Sequence, residues 1–77
     1  MELNENQTIM LDDKNKYWIV KKRNIDGILF YFTIKNTKPP QIVVLSEIED
    51  ELKIIDDEKI LQIAALDLAD TLTESQN

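Results

Sequence analysis

Carboxylates are the only abundant side chains in this sequence that could do chemistry: 15 Asp and Glu among 77 residues, with no histidine and no cysteine. Asp12-Asp13 and Asp56-Asp57-Glu58 set acids side by side, an arrangement that could hold a hard cation or pair a general acid with a general base. Neither run has the alternating spacing and glycine of a calcium loop, and both fall where turns and helix caps call for acids. The serines, Ser46 and Ser75, have no histidine to activate them. A single glycine leaves no glycine-rich phosphate loop, and the missing cysteine and histidine remove the usual zinc ligands. The expectation is a chain that is not an enzyme and carries no cofactor and no metal.

Binding is the chemistry left, and the charge is distributed unevenly enough to suggest surfaces. Residues 1–13 carry a net −4, residues 14–38 a net +6 and residues 39–77 a net −8, for −6 in total. The acidic carboxyl-terminal half offers Glu47, Glu49, Asp50 and Glu51 in one run and Asp67 and Asp70 farther on. If residues 58–72 form a helix, Ile63 and Leu66 fall outside its apolar stripe, beside Asp67 and Asp70. These eight residues are the candidate partner-binding set, for a protein partner with a basic surface such as a nucleic-acid enzyme. Carboxylates that imitate phosphates could occupy the basic groove of such an enzyme and inhibit it.

A second reading belongs to a different class. Tyr17, Lys21, Arg23, Tyr31 and Lys35 would share a basic, aromatic sheet face able to stack bases and neutralise phosphates of single-stranded nucleic acid. The net charge of −6 opposes direct nucleic-acid binding, so this is the alternative.

The elements that must position these residues are organised around Lys16–Lys35, which holds all five aromatics, the only glycine and five of the nine basic residues. β-Branched and aromatic residues flank Asn24-Ile25-Asp26-Gly27, so the stretch reads as two antiparallel strands and a turn. A two-residue Asp26-Gly27 turn would set Arg23 opposite Phe30 and Lys21 opposite Phe32, loading cations onto the most apolar face. A three-residue loop, Ile25-Asp26-Gly27, with a bulge beside Gly27 places Trp18, Val20, Phe30, Phe32 and Ile34 together instead, and is the register favoured.

Thr8–Leu11 reads as a short strand leading through Asp12–Asn15 into this hairpin, and Pro39-Pro40 as an exposed extended connection. Gln41–Ser46 is a buried strand. Ser46–Asp57 fits a capped helix or a hairpin; the hairpin is favoured, with a turn at Glu49-Asp50-Glu51 and an edge strand Leu52–Ile55 guarded by Lys53. Asp56 or Asp57 caps a last helix running to about Leu72, with Ile60, Leu61, Ala64, Ala65, Leu68, Ala69 and Leu72 as its apolar stripe.

The result is a single α+β domain spanning residues 1–77: an antiparallel meander of four or five strands with one carboxyl-terminal helix on one face, and residues 1–7 and 73–77 as frayed tails. No apolar run approaches the roughly 20 residues of a membrane span, and the acidic amino terminus is unlike a signal peptide, so a cytoplasmic protein without membrane contact is expected. Two apolar strand faces on so short a chain also permit a homodimer.

The run Tyr17-Trp18-Ile19-Val20, then Asp26-Gly27, Leu29-Phe30-Tyr31-Phe32, and Leu52-Lys53-Ile54-Ile55-Asp56-Asp57-Glu58 before a helix resembles the small uncharacterised strand-rich proteins of Gram-positive bacteria and their phages. The similarity covers roughly residues 8–65. It implies a strand meander with one helix and no assigned activity; together with the acidic surface it suggests a phage or mobile-element accessory protein. Pro39-Pro40 and the long alanine-bearing helix depart from that pattern.

Overall fold

A computed structural model describes residues 2–75, with side chains from Glu2 to Thr71. Five strands follow one another as an antiparallel meander in spatial order β1-β2-β3-β4-β5: β1 (Thr8–Met10), β2 (Lys16–Ile25), β3 (Ile28–Lys35), β4 (Gln41–Ile48) and β5 (Glu51–Ile54). The helix α1 (Glu58–Ser75) crosses one face and packs chiefly on β4. This is the expected α+β meander with a single helix. Ser46–Asp57 resolves as the hairpin, with β4 running two residues past Ser46 and a two-residue turn at Glu49-Asp50.

Two tight turns set the registers. Asp26 and Gly27 both lie at positive φ (53° and 81°), as do Glu49 and Asp50 (52° and 65°), the backbone that suits a two-residue hairpin to the strand twist. The β2–β3 turn is therefore Asp26-Gly27, not the three-residue loop: Ile25 pairs with Ile28, Arg23 with Phe30 and Lys21 with Phe32. The parity change occurs further down, in a bulge between Ile19 and Lys21. Val20 is the extra residue, so Trp18, now opposite Ile34, returns to the face of Phe30 and Phe32. The expected apolar set thus forms, but Lys21 and Arg23 join it. They are tolerated because β2 there runs beyond the pairing of β1, and because Arg23 Nη1 and Lys21 Nζ reach Asp67 Oδ2 on the helix at 2.7 and 3.8 Å. Their stems cover apolar surface while the charges stay partly wet.

Each face of the sheet has its own core. Phe30, Phe32, Ile34 and Val44 meet Ala64 and Leu68 under the helix, with Trp18, Val20, Ile60, Leu61 and Ile63 around them. The other, concave face gathers Ile19, Tyr31 and Leu45 with Leu3, flanked by Ile9, Leu11, Leu29, Val43 and Leu52. From Glu2 onward the amino-terminal segment is docked, not frayed: Leu3 is buried and its N–H donates to Tyr31 Oη (3.1 Å), Lys22 Nζ meets Glu2 at 2.6 Å, and Asn6 N–H donates to the Ile19 carbonyl.

The helix begins where the acids predict. Asp57 caps it, its Oδ1 accepting from the N–H groups of Lys59 (2.9 Å) and Ile60 (3.3 Å). Its rotation differs from the expected stripe: Ala65 and Ala69 are exposed, while Ile63 is half-buried against the core. Turning the helix this way brings Asp67 to Arg23. The helix also continues past Leu72 through Ser75; the Leu72 side chain and the last two residues of the expected tail lie outside the described residues.

Candidate functional site

In an antiparallel meander the connections alternate between the two ends of the sheet. The β1–β2 loop (residues 11–15) lies at one end, and the Glu49-Asp50 turn at the other. Curling of the sheet brings its two unpaired edges, β1 and β5, to opposite sides of one cleft of about 910 Å³. That volume is in the range of ligand-binding clefts. Leu3, Leu11, Leu52 and Ile54 give it an apolar lining, and Met10 borders it. Ile54 and Met10 remain 60% exposed, so apolar surface is left wet along both edges.

Acidic residues bracket this cleft: Asp12 and Asp13 at one end, Glu47, Asp50 and Glu51 at the other, with Lys53 the one basic residue among the described lining residues. Five acids against one base leave a formal −4. Not all of that charge is available. Glu51 is paired with Lys53 at 2.8 Å, a contact that lowers the carboxyl pKa and raises that of the ammonium. Asp13 is held by the Tyr17 hydroxyl, which donates to its Oδ2, and by the Asn15 N–H (2.9 Å), with Lys35 Nζ at 3.6 Å. The Tyr17 hydrogen bond, then that of Asn15, depress the Asp13 pKa to about 2. Burial, then the Asp13 carboxylate, push Tyr17 up to about 12. Asp12 and Asp50 have no side-chain partner among the described residues.

The structure divides the expected binding set. Glu47, Asp50 and Glu51 line the cleft, with Glu49 beside them at the turn. Ile63, Leu66, Asp67 and Asp70 sit on the helix, across the sheet. Ile63 is half-buried against the core instead of exposed, and Asp67 is taken up by Arg23 and Lys21. Only Leu66, 80% exposed, and Asp70 keep the exposed positions expected of them.

The basic aromatic face does not assemble. Tyr17 and Tyr31 are 0% and 1% exposed, so neither ring is open to a base, and their hydroxyls engage Asp13 and the Leu3 N–H. Lys21 and Arg23 lie on the helix side, and Lys35 sits over the Tyr17 ring at 5.8 Å and against Asp13. The bulge at Val20 is the cause, since it moves the upper cations of β2 to the other face.

Sequence reasoning missed Leu3, Leu11, Asp12, Leu52 and Ile54 as cleft residues. The available signal was Leu52-Lys53-Ile54, alternating on an edge strand, but nothing local says that β1 lies opposite. Among the described residues there is no group of three or more acids placed to hold a metal ion, and no helix long and apolar enough to cross a membrane. No protein-family model, no curated protein and no solved structure matches the chain.

Proposed function

We propose that this chain is a non-catalytic protein-binding module that holds a basic partner in the cleft between β1 and β5. One observation carries the reading: an apolar cleft of about 910 Å³ bordered by the acidic residues Asp12, Asp13, Glu47 and Asp50. Apolar surface supplies the affinity, and the carboxylates select and steer a cationic partner. A surface built to contact phosphates has that chemistry. The specific form of the proposal is therefore a cytoplasmic accessory protein, of phage or mobile-element type, that inhibits a nucleic-acid-processing enzyme. Burial of both tyrosines weighs against the single-stranded nucleic-acid alternative.

Selection from a displayed library of random peptides tests the module reading. Enriched sequences should be rich in Lys and Arg around apolar residues, and the purified Asp12→Lys/Asp50→Lys variant should lose their binding while keeping the circular dichroism of the parent. A library that yields nothing, or peptides that bind the variant equally well, overturns it.

A further inference from the structure

We propose that the partner enters the cleft as an extended segment that pairs antiparallel with β5 as a sixth strand, carrying a large apolar residue flanked two positions away on each side by Lys or Arg. This rests on the protein-binding reading and adds the backbone geometry and the side-chain pattern.

The hydrogen-bonding parity of β5 comes from its far end. Ile55 N–H donates to the Val44 carbonyl at 2.9 Å. Backbone groups along an antiparallel strand alternate between its two neighbours, so Glu51, Lys53 and Ile55 turn theirs toward β4. The N–H and C=O groups of Leu52 and Ile54 then point to the free edge, because β5 is the last strand and is not paired with β1. Their side chains belong to the concave face: Leu52 joins the Leu45 cluster and Ile54 stands opposite Leu45. An added strand would therefore find its hydrogen bonds and its apolar contacts at the same two residues.

Natural edges are usually blunted by a charged side chain or a proline. Lys53, the expected guard, is tied to Glu51 on the opposite side of the strand, and β5 contains no proline. The pattern of the occupant follows from the carboxylates. Side chains two positions apart share a face, and five extended residues span about 13 Å between their first and last Cα atoms. That is slightly more than the four residues of β5, so cations at both ends of such a segment reach Asp12 and Asp13 on one side and Glu47 and Asp50 on the other.

The test uses ¹⁵N-labelled full-length protein and a capped peptide reading glycine-lysine-threonine-isoleucine-threonine-lysine-glycine. In antiparallel pairing, the isoleucine N–H faces β5 and the threonine N–H groups face away. Bound peptide should slow hydrogen exchange at the Leu52 and Ile54 amides at least tenfold. N-methylation of the isoleucine should weaken binding at least tenfold, and N-methylation of both threonines less than threefold. If the two methylated peptides bind alike while cleft resonances still shift, strand pairing is overturned and the module reading stands. If no cleft resonance moves, the pairing inference falls, whereas the module reading falls with an empty library selection or with selected peptides that bind the Asp12→Lys/Asp50→Lys variant equally well. Protection of the same amides that grows with protein concentration, without peptide, would make the occupant a second copy of this chain and overturn the partner assignment.

Discussion

Replacing Glu49-Asp50 with Asn-Gly should stabilise the protein although it removes two surface charges and adds no contact. Glu49 and Asp50 hold φ values of 52° and 65°, a left-handed conformation that costs a residue with a Cβ about 1–2 kcal/mol. Asparagine tolerates this region better than glutamate does, and glycine enters it freely; Asn-Gly is the preferred pair for such a turn. Against the relief stands the extra chain entropy that glycine gives the unfolded state, about 0.5–1 kcal/mol. The net expectation is a gain of about 1 kcal/mol, or roughly 4–8 °C in Tm for a domain of this size. Urea unfolding of the parent and of the Glu49→Asn/Asp50→Gly variant reads it directly. Relief of repulsion with Glu47 and Glu51 could mimic the effect, so the pair is measured at about 0.15 M and about 1 M salt, where exposed charges are screened. A gain that persists in high salt belongs to the backbone. A gain that vanishes there, or none at all, refutes the argument from φ. The variant should also bind basic peptides less tightly, since Asp50 borders the cleft and has no side-chain partner among the described residues.

Other outcomes follow from the same geometry. Tyr17→Phe removes the hydroxyl held by Asp13, and its effect should depend on pH with a sign fixed at each end. Asp13 is lowered from 3.8 to about 2, so its contribution is present above about pH 4 and is lost as pH falls through 2. Tyr17 is raised from 10.0 to about 12, so its contribution is present below pH 10 and is lost as pH rises through 12. The stability difference between parent and variant, followed by urea unfolding, should be flat between those limits and shrink outside them. Leu68→Ala empties a fully buried site under the helix and should cost about 2–5 kcal/mol by the same assay, a large share of a small domain's stability. Asp67→Asn should cost less than about 1 kcal/mol, because Arg23 and Lys21 are partly exposed, and a double-mutant cycle with Arg23→Gln should place that coupling below about 1 kcal/mol.

Much of the fold was legible because it rests on local pattern. The aromatic hairpin, the Gln41–Ser46 strand, the final hairpin and the Asp57-capped helix each follow from propensity and turn chemistry within a few residues. The β2–β3 register was not, because the choice between a bulge at the turn and one at Val20 depends on a partner 44 residues away. Arg23 opposite Phe30 looks unfavourable until Asp67 is brought over it. The same distant pairing rotates the helix, buries part of Ile63 and exposes Ala65. Leu3 escaped notice for a similar reason: a lone leucine in a polar segment gives no periodic signal, and its site exists only once Tyr31, Ile19 and Leu45 share a concave face. The candidate site was half legible. Glu47, Asp50 and Glu51 stood out as charge, but the apolar cleft they border is made by curling of the sheet, which joins two edges that the sequence separates.

Under the proposed function, partners bind between β1 and β5 and not on the outer face of the helix. Chemical-shift mapping of the labelled protein with the tightest library-selected peptide tests it most directly. Leu11, Asp12, Asp50, Leu52 and Ile54 should shift together while Leu66 and Asp70 stay in place. Shifts confined to Leu66, Asp70 and their helical neighbours would contradict it.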